Sequence, residues 1–273
     1  MREKTLAINT GSAPKTWWLR LWFLRFRSTI LSLSVLLLIL ISWQVSASIH
    51  LVNTLYTSSP FQILSSAYHF IPSRAGLNDM KVTGEEFGIG VGLAIILGII
   101  FGLLLGFYPV LDEAAGLSLN LFYSMPLIAL APLFVLWFGI GLLSKVMVVL
   151  LAAIFPILVT TSSGAKNVDR GLLEVARFYN ASRRQLWTTV LLPAAVPPIV
   201  SGVRLGILTG MIGVIVAEFI VSSAGIGYII DLGSTDFNST LTFMGLFIVV
   251  AAAGILTSVL RRIERHFSKW SMG

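Results

Sequence analysis

The sequence predicts an all-α protein that crosses a membrane about six times, and three observations support this. Of its 273 residues, 56% are hydrophobic and 11% are charged, whereas soluble domains carry about a quarter charged residues. Its mean hydropathy is +0.90. The apolar residues are gathered in runs of about 20, the length that an α-helix needs to cross the hydrocarbon core. No stretch is left that is long enough for a separate soluble domain.

Six apolar runs are the predicted spans. They cover residues 29–48, 87–107, 117–138, 143–163, 198–221 and 240–260. The third run is interrupted by prolines, which free backbone carbonyls, and freed carbonyls at membrane depth are tolerated where they are buried or line a cavity. Ser124, Met125, Pro126 and Pro132 are therefore expected to form part of a pathway wall, although a packing kink would give the same sequence.

The first span has the basic flank and small residues that also mark secretory signal peptides. Its 28-residue lead is long for a signal peptide, and cleavage would leave an odd number of spans, so a retained span is favoured. The predicted organisation is then a tail over 1–28, the first span with an extracytoplasmic loop over 29–86, a core over 87–260, and a tail over 261–273.

The basic residues predict the orientation. Six, five and four of the 19 Lys and Arg residues lie in the N-terminal tail, in segment 164–197 and in the C-terminal tail. Because basic residues favour the cytoplasmic side, both termini and segment 164–197 are expected to be cytoplasmic. The net charge of +7 is therefore interpreted as a topology signal, not as a nucleic-acid-binding surface. The loop 108–116 should lie on the same side, yet it carries Asp112 and Glu113 with no basic residue.

Segment 164–197 is a polar, basic region between apolar spans. A short helix is predicted after Asp169, whose side chain can cap it, and Asn180 can end it in a left-handed conformation. Ser182 can cap a second helix, which is expected to stop at Pro193. Two short helices that meet at an angle form a compact knob suited to a partner's groove.

The spacing of this segment resembles a known motif. Glu174-Val-Ala, three residues, Asn180, nine residues, Val-Leu-Leu-Pro193 is similar to the EAA loop of ABC-importer permeases, E-A-A-x3-G-x9-I-x-L-P. Val175, Asn180 and Val190 depart from that pattern, and Asn is the least costly replacement for a left-handed Gly. The stretches MPLIALAPLFVLWFGIGLLSK, FPILVTTSSGAKNVDRGLLEVA, SGVRLGI and VAEFIVSSAGIGYII extend the resemblance over about two thirds of the chain. They resemble the nitrate, sulfonate and taurine branch.

This resemblance implies a type I ABC-importer permease in the bacterial inner membrane. The chain would form the path for a small solute, an anion such as nitrate, a sulfonate or taurine. Its implied partners are cytosolic ATPase subunits, an extracytoplasmic solute-binding protein, membrane lipid and a second permease subunit in a homodimer. The residues implied to couple to the ATPase are Leu172, Leu173, Glu174, Ala176, Arg177, Asn180, Arg183, Arg184 and Pro193. Glu174 as a solvated carboxylate, and the arginines as contacts for anionic lipid, remain alternatives.

No enzyme active site is predicted. The chain has no G-x-x-x-x-G-K-[ST] loop to cradle phosphates, so ATP and Mg²⁺ are expected in a partner ATPase and no cofactor in this chain. There is no cysteine, and the three histidines are far apart in the sequence, so no metal site is predicted.

Two charged residues fall inside the fifth span. Glu218 is costly there unless it is paired or faces water, so it is either functional or an interfacial residue that reaches the headgroups. Arg204 either snorkels to the inner surface or lines the exit of the path.

Glycines 98, 102 and 106 repeat every four residues on the second span, which predicts close packing against another helix. The stretch after the fifth span, 222–230, is predicted to be a turn or a short re-entrant helix.

Two other functional classes fit the sequence less well. An ion-driven secondary transporter would need intramembrane carboxylates or broken helices at matching places in two halves, and no internal repeat is visible. A membrane anchor without a transport role would not need the ordered pattern of segment 164–197.

Overall fold

A computed structural model describes residues 16–49, 51 and 54–267, and no strand occurs among them. The chain forms two units, Met1–Thr54 and Leu55–Gly273. The first unit contains α1, Thr16–Ser48. Its part Ile30–Ser48 is long and apolar enough to cross a membrane, as predicted for the first span.

The second unit begins with helices where a loop was expected. Segment 50–86 contains α2 (Thr54–Thr57), α3 (Pro60–Phe70) and the first turns of α4 (Arg74–Phe107), so most of this segment is helical. Ser59 and Ser73 cap α3 and α4 through their hydroxyls. The start of α4 carries polar residues that are buried against other helices, and for this reason it does not form an apolar run.

Three long helices form the core of the second unit. α4 packs along α7 (Leu142–Lys166), and α7 packs along α10 (Leu192–Val221). Small residues allow the close approach: a Cβ built on Gly98 would lie 2.9 Å from Ile157, and one on Gly102 would lie 2.7 Å from Thr161. Gly206 of α10 meets the opposite side of Ile157. The predicted close packing of the glycine repeat is confirmed, within one subunit.

The third predicted span is not a continuous helix. It is divided into α5 (Pro109–Ser124), a 3₁₀ turn (Leu127–Leu130) and α6 (Ala131–Phe138). Met125 is extended because the following Pro126 disfavours the helical region, whereas Pro132 lies in the first turn of α6. In the described part of the chain, five helices rather than six are long and apolar enough to cross a membrane.

Segment 164–197 follows its predicted plan at first and then departs from it. α8 covers Arg170–Phe178, and Asn180 has φ +51°, which confirms the left-handed turn. The Ser182 hydroxyl accepts from the Gln185 N–H at 3.3 Å, and the Gln185 side chain accepts from the Ser182 N–H at 2.8 Å. This capping box confirms the second helix start.

The helix that starts there does not stop at Pro193, so this prediction is wrong. α9 (Arg183–Gln185) leads into a π-helical turn, Leu186–Leu191, and then into α10, which contains Pro197 and Pro198. The wide π turn ends at Leu191, just before Pro193 in the first turn of α10. The π turn accommodates the proline ring, which would clash in a regular α-helix. The proline-rich stretch 193–198 is therefore part of one long helix.

Two helices complete the unit. α11 (Ile226–Thr235) follows a turn and packs on α12 (Ser239–Phe267). α12 also packs on α3, where the Ser58 and Thr240 hydroxyls lie 2.8 Å apart. The predicted turn or short helix after α10 is thus a turn followed by a ten-residue helix.

Candidate functional site

Five polar side chains are buried together where the N-terminal parts of α4 and α7 meet the C-terminal end of α10. This polar cluster consists of Asp79, Thr83, Glu86, Lys145 and Glu218. Each is less than 10% exposed, and groups this polar are rarely buried unless they are paired. The cluster must therefore satisfy its own hydrogen bonds.

Glu218 is the centre of this cluster and is 1% exposed. Its Oε1 accepts a hydrogen bond from the Thr83 hydroxyl at 2.7 Å, and its Oε2 accepts from the Gly227 N–H at 2.5 Å. The side chain therefore neither reaches the headgroups nor faces an open path. It joins α10 to α4 and to the first turn of α11.

The N-terminus of α11 is held by three side chains from other helices. Besides the Gly227 N–H, the Gly225 N–H donates to Asp79 Oδ1 at 3.0 Å, and the Ile226 N–H donates to the Thr83 hydroxyl at 2.8 Å. The first N–H groups of a helix have no partner within it, and acidic side chains stabilise this end. Gly225 has φ +120°, which favours glycine. The turn and the start of α11 are thus fixed to the core.

Lys145 connects α7 to the same cluster. Its ammonium pairs with Glu86 and donates to the Ser222 hydroxyl at 3.1 Å. Ser222 in turn donates to the Ala224 carbonyl. Oε2 of Glu86 is buried without a hydrogen-bond partner. The ion pair therefore links α4, α7 and the turn after α10.

Sequence reasoning found Glu218 but missed the rest of the cluster. The signal was present, because Asp79, Thr83 and Glu86 recur at i, i+4 and i+7 directly before an apolar run. On a helix this spacing gives one polar stripe. A polar stripe that continues into a membrane span indicates a buried network of this kind.

A second feature is the exposed apolar surface of the α8 region. The α8 surface consists of Leu172, Val175, Phe178 and Tyr179, which are 51–81% exposed. Glu174 is exposed beside it, whereas Leu173 and Ala176 are half-buried. Arg184 is exposed; the side chains of Arg177 and Arg183 lie outside the described residues.

The π turn that follows the α8 surface packs on the core through aromatic rings and continues directly into α10. The Trp187 ring of the π turn contacts Phe107 and Tyr108, with ring centroids 4.4 Å and 6.0 Å away. These two residues lie at the C-terminal end of α4. The π turn is therefore fixed to the C-terminal end of α4.

The pathway residues predicted from the sequence do not form one site. Met125, Pro126 and Pro132 are exposed along the broken segment between α5 and α6, and the side chain of Ser124 lies outside the described residues. Arg204 is partly buried on α10, about 21 Å along the helix from Glu218 at 1.5 Å per residue. Glu218 belongs to the polar cluster.

Residues 94–270 match the family model described as binding-protein-dependent transport system inner membrane component. The chain is 33% identical to the putative aliphatic sulfonates transport permease protein SsuC of Bacillus subtilis, over 84% of this chain and 83% of that protein. It is 27% identical to the taurine transport system permease protein TauC of Escherichia coli, over 89% and 90%. It is 30% identical to the formylaminopyrimidine transport permease protein ThiX of Halalkalibacterium halodurans, over 86% and 93%.

Solved structures share the fold. Two crystal forms of the inward-facing MetNI methionine ABC transporter contain chains similar to this one, with TM-scores of 0.58 and 0.61. The alignments cover 68% and 76% of this chain and 93% and 96% of those chains, at 22% and 19% identity.

Proposed function

The chain belongs to the family of binding-protein-dependent transport system inner membrane components and is a membrane permease subunit of the ABC-importer type, and from this premise we propose that it imports a small sulfonate. The match over residues 94–270 supports the transport role, and the relatives named for sulfonates and taurine support the substrate class. The matched residues include α7, α10, the α8 surface and two members of the polar cluster, Lys145 and Glu218. The family gives no support to the alternative of an ion-driven secondary transporter.

The substrate class follows from the relatives. Two of the proteins reported above are named for aliphatic sulfonates and for taurine, and a third for formylaminopyrimidine. A small sulfonate anion or taurine is therefore the first substrate class to test, followed by nitrate. Selectivity is proposed to lie mainly in an extracytoplasmic solute-binding protein, with this chain as the gated path.

The α8 surface is the proposed contact with a cytosolic ATPase subunit, which would hold ATP and Mg²⁺. Exposed apolar side chains beside a carboxylate suit a groove in a protein partner, and the EAA-like spacing places Glu174 among them. Leu173, Ala176 and Asn180 shape the knob, and Arg177, Arg183 and Arg184 are its proposed basic contacts. Pro193 lies in the first turn of α10, the long helix that is proposed to carry a movement of the ATPase subunit into the core.

A second copy of the chain is the proposed partner within the membrane. Leu117, Leu121, Leu136 and Trp137 on α5 and α6 are 62–77% exposed. Together with the exposed Met125, Pro126 and Pro132, they would line the solute path between two copies, with lipid covering the remaining apolar surface. Arg204 is a further proposed path residue, whereas Glu218 is left out because it is buried. Both termini and segment 164–197 are proposed to be cytoplasmic, with the broken segment from α5 to α6 as the sixth crossing beside the five long helices.

One reconstitution tests this function. The tagged chain is purified in mild detergent with the proteins that accompany it, reconstituted into proteoliposomes, and assayed for ATP-dependent uptake of labelled ethanesulfonate and taurine. The expected result is uptake that needs ATP and a solute-binding protein, and that Glu174→Lys abolishes while the protein remains folded. Uptake driven by a proton gradient without ATP would contradict the proposal.

A further inference from the structure

α5 and α7 line a half-open cavity of about 260 Å³ at the end of α7 remote from the polar cluster. A water molecule occupies only about 30 Å³ of the liquid, so the cavity has room for a small organic solute. Its lining includes Asp112 at the start of α5 and Lys166 at the end of α7. The α8 helix begins only four residues after Lys166.

The two charged groups of the cavity pair with each other. Lys166 Nζ lies 2.6 Å from Asp112 Oδ1, and the side chains are 42% and 35% exposed. Such a partly solvated pair is held only weakly. A ligand that offers both opposite charges can therefore open it and replace both partners.

The remaining lining is suited to a small ligand with a polar head. Ser162 and Ser163 contribute hydroxyls, and Leu119 and Leu158 contribute apolar walls. A concave site with apolar walls and a few polar groups is typical of small-molecule binding. The polar groups lie along the last turns of α7, beside Lys166.

The charge of the lining selects among small solutes. A simple anion in this cavity would satisfy Lys166 but face the carboxylate of Asp112, and a simple cation would have the reverse problem. A solute that carries an ammonium and an oxyanion satisfies both groups, because each charge finds an opposite partner.

We propose that this cavity is an inner solute site for a small zwitterion, with the oxyanion on Lys166 and the ammonium on Asp112. This inference rests on the proposed sulfonate transport and narrows it to aminosulfonates. It also gives a role to Asp112, an acidic residue in a segment that the orientation rule expects to be basic or neutral. The occupied site would lie against the helix that leads into α8.

The test measures equilibrium binding of labelled taurine to the full purified chain in detergent, with ethanesulfonate and ethylamine as competitors. Labelled taurine should bind saturably. Unlabelled taurine should displace it at a concentration at least about tenfold lower than ethanesulfonate or ethylamine, because each of these competitors lacks one charge and loses one charge-assisted hydrogen bond. Asp112→Asn should lower the affinity for taurine about tenfold and raise the affinity for ethanesulfonate. Lys166→Met should lower the affinity for both taurine and ethanesulfonate.

Glu113→Gln is the matched control, because Glu113 is the exposed neighbour of Asp112 and does not line the cavity. Glu113→Gln should leave the binding of taurine, ethanesulfonate and ethylamine unchanged. Absence of saturable taurine binding would overturn the site. So would an equal loss of taurine and ethanesulfonate binding in Asp112→Asn, which is the result expected if the ion pair only supports the fold.

The measurement needs neither the ATPase nor the binding protein, so it separates the two proposals. Taurine binding without ATP-driven uptake in the proteoliposomes would contradict the proposed transport function but not the inner site. Uptake of a sulfonate with unchanged solute preference in Asp112→Asn would remove only the inner site.

Discussion

The Thr83 hydroxyl donates to the buried carboxylate of Glu218 at 2.7 Å and at the same time accepts the Ile226 N–H at 2.8 Å. One hydroxyl therefore joins α4, α10 and the first turn of α11. Because the site is buried, no water can replace either bond at low cost. This relay fixes the turn after α10 to the core that α4 and α7 form, so the turn and the core are expected to move as one body.

Thr83→Val should lower the free energy of unfolding. Valine keeps the shape but removes both hydrogen bonds, and it leaves a carboxylate oxygen and an N–H buried and unpaired, at a cost of about 2–4 kcal/mol. Unfolding by SDS titration of the detergent-solubilised protein measures this. Thr235→Val is the control, since that exposed hydroxyl donates to the Asp231 carbonyl of its own helix; a similar loss in both variants would argue against the relay.

Gly227→Ala should disrupt the same junction by a steric route. A Cβ at Gly227 would lie 2.7 Å from both the Cβ and Oε2 of Glu218, well inside van der Waals contact, and overpacking of this kind costs about 1–3 kcal/mol. Faster proteolytic cleavage at the turn and lower stability are the expected results. Gly254→Ala on α12 is the control, because a Cβ there meets nothing within 4 Å and alanine favours a helix. Unchanged stability in Gly227→Ala would show that α11 can shift freely.

The Lys145–Glu86 pair should show strong coupling in a double-mutant cycle. Lys145→Met leaves Glu86 buried without its cation, and breaking a buried pair from one side costs about 3–5 kcal/mol. Adding Glu86→Gln to Lys145→Met should restore much of that loss, because no charge remains. Additive losses in SDS unfolding would mean that the two side chains act independently. The exposed pair Lys81–Glu85 supplies a control cycle, in which the coupling energy is expected to be about 0.5 kcal/mol or less.

Local patterns predicted the features that neighbouring residues determine. The glycine repeat from Gly98 to Gly106 predicted close packing, and it packs on α7. Asn180 and Ser182 predicted a left-handed turn and a helix start, both of which occur. These features depend on residues within one or two turns, so one sequence suffices to predict them.

Features that depend on distant residues were not predictable in this way. Glu218 was marked by its charge inside a span, but its partner Thr83 is 135 positions away, and nothing in a single sequence connects the two. Pro193 was expected to end a helix, because a proline ring clashes with the preceding turn of a regular α-helix. A π turn, which the packing of Trp187 on Phe107 accompanies, removes the conflict there.

Phe178→Ala should weaken binding of the ATPase subunit without destabilising the permease. The Phe178 side chain is 81% exposed on the α8 surface, so its removal leaves no cavity. If it is an aromatic anchor that fills a pocket in the partner, its loss costs about 2 kcal/mol or more, or roughly thirtyfold in Kd. Copurification of the ATPase and solute-stimulated ATP hydrolysis should both fall. Val250→Ala on α12 is the matched control, because this apolar side chain is similarly exposed, at 69%, but lies on a membrane span. An equal loss of ATPase binding in the two variants would place the contact elsewhere than the α8 surface.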